Sequence, residues 1–537
     1  MNKPKEKIEL FKVFMAPTAK KKVGEVLDSG YIGQGSKVDE LEEIVGDYFG
    51  NKEVVTTNAG TSALHLALHL LKKPKPNWLK DVFQGLAFTK ENWPGIHNGD
   101  EVLATALTCT ASNWPIVANG LKIKWVDIDP TTLNMDLEDL ESKITKKTKA
   151  IIGVHWGGYP LDLDKIKEIQ KRVEAKYGWA PALIEDGAHA IGTKYKDKYL
   201  GNHGNFVMNS LQAIKHITAI DGGLLYCPHK ELYERAKLIR WYGIDRSPKN
   251  RTDFRCEIDI EEWGFKFHMN DVCAAVGIEN FKHLDKIISK HKSNAQYYDD
   301  NLKDVNGVTL LKREKGFESS FWIYTMLVDD RPSFYKYMEK CGVTVSQVHE
   351  RNDKHSCMSE FRDALPNLDK TIGNIVSIPV GWWVTNEERE YIVECIKKWK
   401  IKLRPLTIND LSFLLETRND DSTRFYLEDD SVFNLEECKE WFKTLTSPWF
   451  IIEIDNVRVG YIRTKDNEMG CDIHPNFRKK GYARMAYNEY LKDKDYAALK
   501  VFEDNFAKSL YLSLGFRKSG DEGLIRGRKY IKMEYNG

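Results

Sequence analysis

Lys215 stands in NSLQAIKHITAIDGG (209–223), directly after the buried-strand pattern NFVMNS (205–210) and ahead of the Gly222-Gly223 pair. A lysine at a strand end, in the crevice where α/β folds place ligands, is partly shielded from water, and its pKa falls. Such an amine forms a Schiff base with a carbonyl compound, as pyridoxal phosphate (PLP) requires. PLP also needs an acid beside its pyridine nitrogen. Asp186 closes the apolar run ALIED (182–186) and faces the same crevice; taken singly it reads more readily as a cap on the next turn or helix, but paired with Lys215 it does not. NAGTSALHLALHLL (58–71) sets Gly60, Thr61 and Ser62 at a helix N-terminus, where free N–H groups and the helix dipole favour a phosphate. The Ser210 hydroxyl is a further donor candidate.

A second constellation lies near the C-terminus. In DIHPNFRKKGYARMAYNEYL (472–491), Arg478, Lys479, Lys480, Gly481 and Ala483 lead into a helix, and backbone N–H groups from 478 to 483 can cradle a pyrophosphate. VFEDNFAKSLYLSLGF (501–516) follows, with Asn505 at the start of a helical pattern and Tyr511 inside it.

The elements that must position these residues read as α/β. Between Val54 and Cys227, strand-like runs (101–106, 123–128, 150–155, 182–186, 205–210) alternate with helical patterns (62–71, 163–178), which predicts a largely parallel sheet. A helical stretch near 270–303 leads into a smaller α/β segment ending near 399–403. The pattern then restarts at LRPLTINDLSFLLETRND (403–420), followed by two strands within 449–464 joined by an Asp-Asn turn, a strand at 468–475, helix 478–491, strand 498–504 and helix 505–515. This places a boundary near residues 400–403. KKPKPNWLKDVFQGLAFTKENWPGIHN (72–98) reads as a surface insertion, with one short helix.

Bulk properties exclude several classes. A length of 537 residues exceeds one hydrophobic core, and a net charge of +1 gives no basic field for nucleic acid. The nine cysteines form no CxxC pair, which argues against a zinc site or disulfide framework and fits a reducing compartment. No apolar run is long enough to span a membrane, and the N-terminus has no signal-peptide pattern, so a cytoplasmic enzyme without a metal is expected.

In order along the chain, NAGTSALHLAL (58–68), NGDEVLATALTCTASNWPI (98–116), VDIDPTTLNMD (126–136), VHWGGYPLDLDKI (154–166), EDGAHAIGT (185–193), SLQAIKHITAIDGG (210–223) and RWYGIDR (240–246) resemble the DegT/StrS-type sugar-nucleotide aminotransferases, which are fold-type I PLP enzymes. The resemblance covers about residues 30–398. It implies a large α/β domain with a small α/β subdomain over residues 1–400. It also implies Lys215 as the Schiff-base lysine and proton carrier, Asp186 as the partner of the pyridine nitrogen, and His189 beside the ring. Thr61, Ser62 and Ser210 would contact the phosphate. A nucleotide-sugar substrate, an L-glutamate donor and a homodimer with its site between subunits are implied too. Cys109 replaces the family's stacking aromatic, and Lys266 replaces an asparagine that reaches the phosphate from the partner subunit. In VSQVHERNDKHS (345–356), His349 and Arg351, with Asn352 and His355, fall where the family contacts its sugar nucleotide, although a solvated loop explains them equally well.

Residues 402–537 resemble a GNAT N-acetyltransferase domain in the openings LRPLTINDL and ETRND and in the closing motif around Asn505 and Tyr511. This implies acetyl-CoA bound by 478–483, Asn505 holding the cofactor or a water, and Tyr511 protonating the leaving thiolate, with core packing as its alternative role. Asp472, His474 and, equally, a water chain are the candidate bases. The combined expectation is a bifunctional transferase that aminates a nucleotide-linked 4-keto-6-deoxyhexose and N-acetylates the new amine. A second domain that acts on another acceptor, or only binds coenzyme A or joins subunits, remains open.

Overall fold

The computed structural model describes residues 4, 6–73, 93–246, 259–454, 457–491 and 494–536. Most of the 72–98 insertion and the Asp455-Asn456 turn lie outside them. The chain divides into two compact units, Met1–Val393 and Glu394–Gly537.

The first unit is built on a seven-stranded sheet: β1 (Val54–Thr57), β2 (Glu101–Thr105), β3 (Lys122–Val126), β4 (Thr148–Val154), β5 (Ala182–Asp186), β6 (Phe206–Ser210) and β7 (Gly223–Tyr226). Its order is β1-β7-β6-β5-β4-β2-β3, and only β7 runs antiparallel to its neighbours. β4 and β5 are buried along their whole length, because helices cover both faces. Alternate side chains feed two cores: Ile152 and Ile184 pack with Leu64, Leu68 and Ile116. Ile151 and Leu183 pack on the other face with Ile166, Ile169 and Val173. The first set includes α1 (Gly60–Leu70) and α2 (Thr110–Ala118); the second includes α3 (Leu163–Tyr177). α4 (Asp271–Phe281) and α5 (Leu284–Leu302) lead to the smaller sheet, where β8 (Val308–Leu310), β9 (Tyr324–Val328) and β10 (Ile375–Ile378) pair antiparallel in that order.

The second unit carries another seven-stranded sheet: β11 (Ile401–Pro405), β12 (Phe450–Ile454), β13 (Val457–Lys465), β14 (Glu468–Ile473), β15 (Tyr496–Phe502), β16 (Arg517–Ile525) and β17 (Arg528–Asn536). The order is β11-β12-β13-β14-β15-β17-β16. All neighbours are antiparallel except β14 and β15, which run parallel and pair at Glu468 and Ala498 before separating. A parallel pair needs a crossover, supplied by α6 (Tyr482–Leu491). That helix is shorter than the 478–491 expectation, because Lys479 (φ +62°) and Gly481 (φ +79°) hold the preceding turn in left-handed backbone. α7 is likewise confined to Lys508–Ser513.

Candidate active site

The carboxyl ends of β5 and β6 bring Asp186 and Lys215 into one crevice. Asp186 Oδ2 accepts a hydrogen bond from Ser112 Oγ at 2.5 Å, and Oδ1 accepts one from the Ala188 N–H at 3.0 Å. Ser112 spends its proton on Asp186, so Thr108 Oγ1, at 2.8 Å, donates to Ser112. This relay starts in the TCTAS segment after β2 and leaves the carboxylate fixed and acceptor-rich. Burial lowers the Lys215 pKa to about 8, while the Asp186 carboxylate and then the Cys109 thiol act to raise it. Its ammonium lies 3.7 Å from the centroid of the Trp322 ring.

Trp322 belongs to a column of stacked rings. Phe11 stacks on it at 5.0 Å, His189 at 4.0 Å, and His349 follows on His189 at 5.3 Å. The Gly157 N–H points to His189 Nδ1 at 3.4 Å, so the His189 proton sits on Nε2 and faces His349 Nε2 at 3.3 Å. Burial, with the nearby Lys215 charge, holds His349 down to about 3 and His189 well below the usual imidazole range. Both are neutral rings. Gly158 makes the column possible: at φ +97° a Cβ there would sit 2.8 Å from the His189 carbonyl and 2.9 Å from the Phe321 nitrogen.

Beside these groups, α1 begins without a side-chain cap: Ala59 is extended, and the first N–H groups of Gly60, Thr61 and Ser62 have no capping partner. Ser210 ends β6 against this turn, its Oγ 3.5 Å from where a Cβ on Gly60 would lie. An anion-ready helix end, a fixed carboxylate and a lysine of lowered pKa are the three features that PLP demands, and these residues fit it. Lys266 is exposed and lies beside the same seat in its own chain, because Asn58 Nδ2 donates to its carbonyl at 3.3 Å.

Segment 345–356 is not a solvated loop. The Asn352 N–H donates to the Ala106 carbonyl at 2.8 Å and its side chain to the Thr108 carbonyl at 2.7 Å, which ties the segment to the end of β2. His349 thereby reaches the crevice. Arg351 does not present a free fork: Nε and Nη2 bind Asp353 at 2.7 and 2.6 Å, and Nη1 binds Asp369. His355 meets Trp114 edge-on.

In the second unit a cleft of about 1590 Å³ opens where β14 and β15 separate, lined among others by Arg478, Lys479, Gly481, Ala483, Asn505 and Tyr511. Burial pushes the Tyr511 phenol up to about 12, so it holds its proton at neutral pH. Asn505 Oδ1 accepts the Ala507 N–H at 2.8 Å and steadies the approach to α7. Arg478 spends its guanidinium on Ser422, Thr423 and the Ile473 carbonyl, which fixes the 478–483 turn rather than freeing a charge. Lys480 lies over the Phe477 ring. Asp472 lines the cleft; His474 does not, with Nδ1 accepting the Asn476 N–H and Nε2 3.2 Å from Glu416. Ser112, Thr108 and Trp322 are site residues that sequence reasoning missed; the polar spacing Thr108-x-x-x-Ser112 was the available signal.

Comparison with known proteins gives a family match for each part of the chain. Residues 15–77 and 84–397 match the DegT/DnrJ/EryC1/StrS aminotransferase family, and residues 430–536 match the acetyltransferase (GNAT) domain. The crystal structure of AtS13 from Actinomadura melliaura is 46% identical, with a TM-score of 0.66 over 73% of this chain and 98% of that one. Sugar aminotransferase CalS13 from Micromonospora echinospora is 41% identical, with a TM-score of 0.66 over 72% and 98%. A UDP-4-amino-4-deoxy-L-arabinose–oxoglutarate aminotransferase of Shewanella sediminis is 28% identical over 70% of this chain and 94% of its own. No helix among the described residues is long and apolar enough to cross a membrane.

Proposed function

Because the chain belongs to the DegT/DnrJ/EryC1/StrS aminotransferase family and carries a C-terminal GNAT domain, we propose that it makes an N-acetylated amino sugar in two steps. Residues 1–400 move an amino group from L-glutamate to a nucleotide-linked 4-keto-6-deoxyhexose, and residues 402–537 acetylate the new amine from acetyl-CoA. The observation that carries this reading is the union, in one chain, of a fold that produces a primary amine and a fold that consumes one.

When bound, PLP supplies an exchangeable carbonyl and an electron sink. The uncapped start of α1, with Thr61, Ser62 and Ser210, holds its phosphate. Lys266 extends the same seat, in this chain or in the second subunit of a dimer. Asp186, held by Ser112, is the carboxylate for the ring nitrogen, and the His189 Nε2–H is the donor beside the ring. Lys215 Nζ, neutral above about pH 8, takes a proton from the donor's α-carbon and returns one to the sugar carbon. His349 stands at the sugar's side of His189. In the second domain the 478–483 turn and Asn505 bind coenzyme A, and Tyr511 protonates the departing thiolate.

Mass spectrometry tests this reading. The protein is incubated with PLP, glutamate and several 4-keto-6-deoxy sugar nucleotides, with and without acetyl-CoA. An amino sugar that becomes an acetamido sugar only when acetyl-CoA is present is the expected result. Neither product from any of the sugars would refute it.

A further inference from the structure

The coenzyme side of the second unit's sheet does not use all the chemistry in the cleft. In the antiparallel register of β13 and β14, Tyr461 opposes Asp472 and Arg463 opposes Gly470, which puts their side chains on one sheet face. That face packs on helices Leu411–Asn419 and Leu435–Lys443, as Tyr461 clusters with Leu411, Leu414 and Cys438. Cys471 points to the other face, toward Tyr487 and Tyr511. Arg463 Nε donates to Asp472 Oδ2 at 3.0 Å, and it lies so close over Gly470 that a Cβ there would stand 2.7 Å from Nε. Trp449 stacks on Tyr461 at 5.7 Å and 14°, and Trp441 meets Trp449 at 4.7 Å and 64°. Trp441, Trp449, Tyr461, Arg463 and Asp472 line the same cleft as Tyr511 and Asn505.

The cleft therefore reaches both sheet faces where β14 and β15 part. Coenzyme A on the 478–483 turn leaves the aromatic side as the nucleophile's approach. Half-buried indole faces are platforms for the C–H face of a sugar ring, and a carboxylate already held by arginine is an oriented partner for an amine. We infer that Trp449 and Trp441 form the face of the acyl-acceptor subsite that seats a pyranosyl ring, and that Arg463 holds Asp472 toward the ring's primary amine; this rests on the reading that the second domain acetylates an amino sugar. The amine nitrogen attacks the thioester carbonyl, the N–C bond forms and the C–S bond breaks. The nitrogen's proton passes to Asp472, the sulfur takes one from Tyr511, and solvent restores both. Arg463 is a positioning residue for Asp472. His474 is spent on Glu416 and the Asn476 N–H.

The test uses the full chain with two acceptor probes, a 4-amino-4,6-dideoxyhexose nucleotide formed by its own first domain and glucosamine 1-phosphate. Thiol release reports transfer, and calorimetry reports acetyl-CoA binding. Asp472→Asn is expected to lower kcat about 100-fold with acetyl-CoA affinity unchanged. Trp449→Ala is expected to raise the acceptor KM about tenfold with kcat retained, and it decides the matter if Asp472→Asn does not fold. Wild-type transfer to either sugar that both variants leave intact overturns the inference while the bifunctional reading stands. Transfer to glucosamine 1-phosphate but not to the chain's own product, lost in both variants, keeps the subsite and refutes the two-step sequence. No transfer to any amino sugar overturns both.

Discussion

The ammonium of Lys215 sits 3.7 Å from the centre of the Trp322 ring, whose plane also stacks on His189 at 4.0 Å. Burial favours the neutral amine and brings its pKa to about 8. The ring face acts the other way, since its quadrupole attracts the cation. The lysine is thus poised between being held in place and being reactive.

Trp322→Leu keeps the apolar surroundings but removes that attraction, worth about 0.5–2 kcal/mol, so the Lys215 pKa should fall by roughly 0.4–1.5. PLP uptake by the apoprotein, followed by its visible absorbance, should accelerate with pH through a midpoint near pH 8. In the variant the midpoint should move to lower pH. An unchanged or raised midpoint would show that Trp322 does not bear on the amine.

Asp186→Asn tests the relay from Thr108 through Ser112. The amide is nearly isosteric, but it cannot hold a protonated pyridine nitrogen by charge. Transamination should drop by about 100-fold or more, with PLP still bound through the α1 seat. Loss of PLP itself would instead mean that Asp186 mainly supports the cofactor's binding.

Much of this site was legible along the chain because parallel α/β folds put reactive groups at strand ends. Asp186 closes β5, and Lys215 follows β6 by a few residues. Trp322 was not legible, since it arrives from the turn before β9, far along the chain, and only the fold lays it on Lys215. Arg351 and Arg478 show the opposite failure. In sequence each is an arginine near an expected phosphate, and only in three dimensions do Asp353, Asp369, Ser422 and Thr423 claim them. The β16–β17 hairpin escaped because RKSGDEGLIRGRKYIKMEYN carries adjacent charged pairs (517–518, 521–522, 528–529) and three glycines, which break the apolar alternation a strand would show.

The Arg351 cluster has its own consequence. Arg351 and Asp353 are 6% and 7% exposed, so Arg351→Ala strands a buried carboxylate. That should cost about 3–5 kcal/mol, visible as a lowered Tm or denaturant midpoint. The double variant Arg351→Met/Asp353→Leu should recover most of the loss, because two apolar side chains of similar volume replace the pair. A stable Arg351→Ala variant with a raised sugar-nucleotide KM would return Arg351 to the substrate site.

Tyr511→Phe separates the two activities. The phenol is buried in the cleft where β14 and β15 diverge, and its pKa, raised to about 12, keeps it protonated throughout the working pH range. A proton donor is needed only when the C–S bond breaks, so its loss should act on kcat and not on acetyl-CoA affinity. Acetyl transfer should fall by about 10²-fold, while transamination in the same preparation stays constant, because every group assigned to it lies before residue 394. Tyr511 meets Tyr487 edge-on at 5.5 Å and packs near Phe516, so a purely packing role is the rival account. Phenylalanine preserves that packing. A variant that transfers acetyl at the wild-type rate would therefore leave Tyr511 as core and move the proton to another donor, whereas a slow variant with normal acetyl-CoA binding fixes the phenol as the acid.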